Sequence, residues 1–245
     1  MAADESEQSP WTRPGFVAAA VVVAVVLVLA AVLGVNALRQ ADSEEPPPPV
    51  ETATGTPTPS ETAATADESV CGLEGAKSES TLTIAPTATW QFQGSTAYPT
   101  SNEYGPGVTD DQGVRSCFQR SPEGALFMAA NALVQGSDAA TGATWAESAL
   151  AEGEHRAELL KELGTPSDSS GTRLNIAGFR LLAFDGNSAT VDMAVQGSAG
   201  GQGLTVSAVY ELVWEGGDWK ISADVREPLD VATIPDLAGY VPWGA

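Results

Sequence analysis

The chain has 245 residues, 43% of them hydrophobic, and a formal charge of −21; residues 1–70 carry 2 basic and 10 acidic side chains, and residues 71–245 carry 9 and 22. A field of that sign repels phosphate backbones, which are held through Lys and Arg, so direct nucleic-acid binding is not expected. The first 70 residues spend their apolar content in one block, leaving about 175 residues for one compact domain, large enough to be stable without a metal, a cofactor or a dense disulfide framework.

Residues 1–15 read as a cytoplasmic tail. From Phe16 to Leu38 run 23 residues without a charge, interrupted only by Gly34 and Asn36. At about 1.5 Å per residue this helix is roughly 35 Å long, enough for a hydrocarbon core of about 30 Å. Its valines lower helix propensity in water, but in lipid the backbone must close its own hydrogen bonds. The competing reading is a cleaved signal peptide, with Val35-Asn36-Ala37 as the cleavage site and Arg13 as a minimal positive region; against it, the apolar run exceeds the usual 7–15 residues or so.

Arg13 and Arg39 flank the segment equally, so the positive-inside rule gives a tie. The cysteines orient the chain better. Cys71 and Cys117 are its only two, and in an oxidising compartment they would pair. Closing the loop between them is worth roughly 4 kcal/mol on the chain-entropy model. Two free thiols are the alternative. The bridge implies a cytoplasmic N-terminus and an extracytoplasmic domain in a single-pass membrane protein.

Residues 39–70 are rich in Pro, Thr, Ala and Glu and lack aromatic side chains. Such a composition cannot bury enough apolar area to offset its conformational entropy and reads as a disordered linker. Its reach runs from roughly 30 Å as a coil to roughly 90 Å if proline keeps it extended.

The domain spans residues 71–245. Its first fifty residues read as irregular or weakly extended, with Thr81-Leu82-Thr83-Ile84 as a short strand and turn formers from Trp90 to Gly107. Ser121-Pro122-Glu123 then starts a helix, with an N-cap, a first-position proline and an acid in the first turn. Leu126, Phe127, Ala130, Leu133 and Val134 follow at helical spacing up to Gly136. Further helices are expected at about 140–151 and 154–163, the last stopped by Gly164-Thr165-Pro166. From Thr172 the period becomes two: Leu174–Phe184, Ala189–Gln196, Leu204–Trp214 and Trp219–Val225 alternate apolar and polar residues between the turns Asp185-Gly186-Asn187 and Glu215-Gly216-Gly217-Asp218. Helices followed by a four-stranded, one-faced meander imply an α+β layer, a cystatin-like cone with helices on a curved antiparallel sheet.

Chemistry is sparse. His155 is the single histidine and reads as a surface residue. Gly197-Ser198-Ala199-Gly200-Gly201-Gln202-Gly203 joins two strands and opens no helix, so it reads as a hairpin loop rather than a phosphate cradle. Asp192, Glu211 and Asp224 fall on the face opposite Val191, Tyr210 and Ile221, as solvated sheet positions; lining a pocket, such a carboxylate would have a raised pKa and could act as an acid or base. Trp90, Trp145, Trp214 and Trp219 are core candidates, whereas Trp243, in the apolar terminus, would dock on the domain or on a partner.

Two resemblances add to this reading. The hairpin Val209 to Ile221, with Glu215-Gly216-Gly217-Asp218 at its turn, resembles the last hairpin of nuclear transport factor 2-like domains. Cys71-Gly72-Leu73, Ala85-Pro86, Trp90, Pro99-Thr100-Ser101, Gly105-Pro106 and Cys117-Phe118 through Ser121-Pro122-Glu123-Gly124-Ala125-Leu126 resemble a family of actinobacterial membrane-anchored proteins. Their layout is similar to the TcpC-like bitopic scaffold subunits of conjugative, type IV secretion-like systems. The resemblance implies a non-enzymatic scaffold whose partners are the membrane, other envelope proteins and, as a further option, a second copy of itself. It carries over no catalytic, cofactor or metal residue. An extracytoplasmic module binding a small apolar ligand is the main alternative, and an enzyme using one pocket carboxylate is a third.

Overall fold

In the computed structural model, which describes residues 69–74, 81–138, 140–163, 173–199 and 202–245, the period-two stretches form one large antiparallel sheet. Its strands are β5 (Arg173–Phe184), β6 (Ser188–Ala199), β7 (Gln202–Glu215), β8 (Asp218–Ile221), β9 (Leu229–Thr233) and β10 (Val241–Pro242), in the order β10-β5-β6-β7-β8 with β9 also on β7. Earlier in the chain come β1 (Thr89–Gln93), β2 (Thr96–Thr100), β3 (Val108–Thr109) and β4 (Arg115–Ser116), then α1 (Pro122–Gly136), α2 (Gly142–Ala149) and α3 (Arg156–Leu163).

Register explains why one face is apolar. Ile176 lies opposite Val195, Phe179 opposite Met193, and Val191 opposite Tyr210, so these buried side chains share the inner face. Two irregularities in β5, between Ile176 and Gly178 and between Leu181 and Ala183, reset the alternation so that Phe179, Leu181 and Phe184 all reach that face. Each inserted residue flips the side chains that follow it.

α1 covers the centre of the face, against β2, β5, β6 and β8. Ser121 caps it by accepting the Gly124 N–H at 3.0 Å. Gly124 is required there, because a Cβ would stand 1.9 Å from the Gln119 carbonyl oxygen. The other two helices contribute less: α2 touches α1 and β8, and α3 packs on α2 and buries only Leu159.

The helix-covered, nuclear transport factor 2-like cone expected from the sequence is therefore corrected. Strand accounts for 41% of the structure and helix for 20%, so the fold is a large antiparallel sheet with a minor helical complement. The physical reason lies in two misread segments. The turn formers between Trp90 and Thr100 build the β1–β2 hairpin, which packs beside β5 as part of the cover. The C-terminus adds β9 and β10 to opposite sides of the meander. The strand expected at residues 81–84 does not form.

Among the described residues no helix is long and apolar enough to cross a membrane. The transmembrane helix expected at 16–38, the tail at 1–15 and residues 39–68 of the linker lie outside the described residues. Ser69 and Val70, at the linker's end, already belong to the fold: Ser69 is buried and the Val70 N–H donates to the Gly217 carbonyl at 2.7 Å.

The terminus makes a strap. It leaves β9 beside β7 and reaches β10 beyond β5, so residues 234–240 cross the outer face. Trp243 then tucks round the edge of β5 onto the inner face. Its ring lies 5.0 Å from that of Trp90, 5.3 Å from Phe127 and 5.8 Å from Phe179, and its Nε1–H donates to the Pro86 carbonyl at 3.0 Å. Of the two options for this tryptophan, docking on its own domain is the one realised.

Candidate functional site

Among the described residues three polar centres are buried. The first lies where the chain enters it. Cys71 and Cys117 form a disulfide with Cα atoms 6.0 Å apart, as the cysteine count anticipated. Gly107 makes room for it, since a Cβ there would stand 2.5 Å from the Cys71 Sγ. Cys117 has φ +67°, a left-handed conformation that costs a non-glycine residue roughly 1–2 kcal/mol.

Asp218 holds that conformation in place. Its Oδ2 accepts the Cys117 N–H at 2.6 Å, and its Oδ1 accepts the N–H groups of Phe118 at 2.7 Å and Trp219 at 2.9 Å. Burial pushes the carboxyl up to about 6, while the three N–H donors and Lys220 pull it down. The Trp219 indole N–H donates to the Gln119 carbonyl at 2.9 Å, so this turn of the β7–β8 hairpin pins the whole segment before α1.

The second centre is Arg115 on β4, 6% exposed. Its Nε donates to Asn131 Oδ1 at 2.6 Å and its Nη1 to Gln93 Oε1 at 2.8 Å. The guanidinium lies 3.8 Å from the centre of the Tyr98 ring, and Nη2 has no hydrogen-bond partner. Asn131 itself donates to the carbonyls of Pro99 and Phe127. Gln135 accepts the Arg115 backbone N–H at 3.1 Å. Desolvation lowers the Arg115 pKa from its ordinary value. The Gln93 amide, the first of several donors, holds the Asp138 carboxyl below its usual range. This network joins β1, β2, β4 and α1.

The third centre is on the outer face. Asp192 is fully buried, contrary to the expectation of a solvated sheet position. Its Oδ1 accepts Ser207 Oγ–H at 2.7 Å; its Oδ2 accepts the Tyr240 hydroxyl at 2.8 Å and both Nε and Nη2 of Arg180. Arg180 also stacks over the Tyr240 ring at 4.3 Å. The hydrogen bond to Asp192 raises the Arg180 pKa, and burial raises that of Tyr240. The carboxylate is covered because the strap lays Tyr240 over it.

Both oxygens of Asp192 and both of Asp218 are engaged by donors. Glu211 accepts Thr190 Oγ1–H at 3.0 Å, Asp224 is exposed, and His155 is half-buried at the start of α3. The structure does not bring Asp192, Glu211 and Asp224 into a shared site. Among the described residues no group of three or more His, Cys, Asp or Glu is placed to hold a metal ion. The glycine-rich stretch is a hairpin connection, with Ala199 opposite Gln202.

Sequence reasoning missed Arg115, Asp218, Arg180, Ser207 and Tyr240. Only Asp218 left a trace, as the last residue of a Glu-Gly-Gly-Asp turn. The others become visible only through pairs 12 to 48 residues apart.

Comparison with known families recognises a span that includes the disulfide and ends with β10. The family model described as "Domain of unknown function (DUF8175)" matches residues 48–242. The chain belongs to this family. Its matched span encloses all three polar centres and stops one residue short of Trp243. No curated protein and no solved structure matches the chain.

Proposed function

We propose that this member of the family is a non-enzymatic, membrane-anchored scaffold or assembly subunit of an envelope complex, with its N-terminus cytoplasmic and its domain extracytoplasmic. The observation that carries the reading is the fastening at the domain's entry. Any pull from an N-terminal anchor arrives at Val70 and Cys71, where the chain meets a disulfide, the Val70 to Gly217 hydrogen bond and the segment gripped by Asp218. A disulfide belongs to an oxidising compartment, and the uncharged run from Phe16 to Leu38 is long enough to hold the chain there.

The small-ligand reading gains no comparable support; between the sheet and its cover the rings of Trp90, Phe127 and Phe179 all pack on Trp243. The link to conjugative, type IV secretion-like machinery rests on resemblance alone, in the order of elements over residues 71–245 and in the motifs quoted between Cys71 and Leu126. The test is in-cell cross-linking of the full-length protein, extraction and mass spectrometry of what co-purifies. Reproducible recovery of a transfer-type ATPase or channel subunit is the expected result. Recovery of the protein alone, from cells that encode such machinery, overturns the reading.

A further inference from the structure

The edge of the sheet beyond β7 is treated differently at its two ends. At β8 it is covered: Leu150 bridges Ile221, the Ala151 N–H donates to the Ile221 carbonyl at 2.9 Å, and the His155 N–H donates to the Ala223 carbonyl at 2.9 Å. At β9 nothing among the described residues lies against it, and all five residues from Leu229 to Thr233 are exposed.

Hydrogen-bonding parity shows which groups are left over. The Glu211 N–H donates to Pro228 and the Ile234 N–H donates to Thr205, so in this antiparallel ladder the even-numbered residues 228 to 234 bond to β7. Alternation turns the backbone N–H and C=O of Leu229, Val231 and Thr233 outward. The same three residues pair with Tyr210, Ala208 and Val206, so their side chains lie on the sheet's inner, apolar face. Leu229 and Val231 are each 39% exposed. One strand thus offers free backbone groups and an uncovered apolar ledge at the same residues, which is what strand addition requires.

The charge around the strand selects the occupant. Asp224, Glu227, Asp230 and Asp236 are exposed beside it with Arg226 as the one base among them, on a chain of formal charge −21. A second copy would bring the same sign to the same edge.

We propose that β9 is the docking edge for an extended, basic segment of a partner protein, which adds as a further strand of the sheet. Its apolar residues lie opposite Leu229 and Val231, and a Lys or Arg lies opposite Asp230 on the outer face. This assignment names a partner chemistry for the scaffold reading and rests on it.

Val231→Pro tests it cleanly. Proline removes an outward N–H and sets its ring where the added strand must lie, while the bonds from 230 and 232 to β7 remain. The probe is a short fluorescent peptide of alternating valine and lysine, titrated into purified full-length protein by anisotropy. The alternating valine and glutamate peptide serves as its control. The expected result is saturable binding of the lysine peptide alone. V231P should weaken it by about tenfold or more at unchanged Tm, the effect of losing one or two backbone hydrogen bonds. Asp230→Lys should weaken it as well and admit the glutamate peptide.

Failure of the lysine peptide to bind, or equal binding to V231P, overturns the assignment. So does a wild-type dimer in sedimentation that V231P converts to monomer, since the occupant is then a second copy. If cross-linking still recovers envelope partners from cells carrying V231P, the edge assignment fails and the scaffold reading survives. If neither protein recovers any, the scaffold reading itself fails.

Discussion

Asp218→Asn should remove a specific pH dependence of folding. The carboxyl moves from 3.8 to about 6 on folding because it is buried, so the native state holds its proton more tightly than the unfolded chain does. The stabilisation from this group is fully present below about pH 3.8 and is lost as pH rises through about 6. At about 1.4 kcal/mol per pH unit the loss is roughly 3 kcal/mol. Asn cannot titrate, and it offers one acceptor oxygen where Asp218 engages two. One of the backbone N–H groups at Cys117 and Phe118 is then left buried and unpaired, at about 1–3 kcal/mol. The wild-type-minus-variant difference in stability should therefore fall by roughly 3 kcal/mol between about pH 4 and pH 8, whatever constant cost the substitution itself carries. Asp138 and Asp185, whose carboxyls are held low, give the opposite slope in both proteins and cancel in the difference. The assay is urea unfolding of the oxidised protein across that range. A wild-type-minus-variant difference that stays flat with pH refutes the reasoning.

Trp243→Ala should cost about 3–5 kcal/mol, because it empties the space between Trp90, Phe127 and Phe179 and releases β10; faster amide exchange along residues 178–180 of β5, with the far strands still protected, would locate the loss. Asp192→Asn should cost roughly 2–3 kcal/mol and Tyr240→Phe about 1.5–3 kcal/mol, since each removes hydrogen bonding to a carboxylate. Their double variant should fall short of the sum, since both act through one carboxylate, and urea midpoints of the three proteins measure that coupling. Replacing both cysteines by serine should lower stability by about 4 kcal/mol through the longer open loop of the unfolded state, read as a lower urea midpoint. A change within error of zero would mean that Asp218 alone fixes the entry segment.

The parts legible in advance were those with local causes. Ser121-Pro122-Glu123 starts a helix because capping, proline geometry and the helix dipole act within one turn, and α1 begins there. The hairpins of the meander were legible because alternation and Gly-rich turns repeat within a few residues. Strict alternation, however, cannot register the two irregularities in β5, which decide that Arg180 faces Asp192. Nor does anything near Asp192 mark it as buried: a carboxylate in a polar strand position looks the same whether water or Tyr240 lies above it.

From its sequence alone this protein's acidity, its uncharged N-terminal run, its cysteine pair and its alternating meander were all determined, since each is a property of composition or of neighbours in the chain. The tertiary structure alone decided how those pieces are fastened. The strap that carries Tyr240 to Asp192 and Trp243 to Trp90 joins residues 48 and 153 positions apart, the grip of Asp218 on Cys117 spans 101, and the open edge at β9 exists only because β7 has room for one more strand beyond β8. Contacts at such separations are chosen by the packing of the whole domain, and a pattern read along the chain has no term for them.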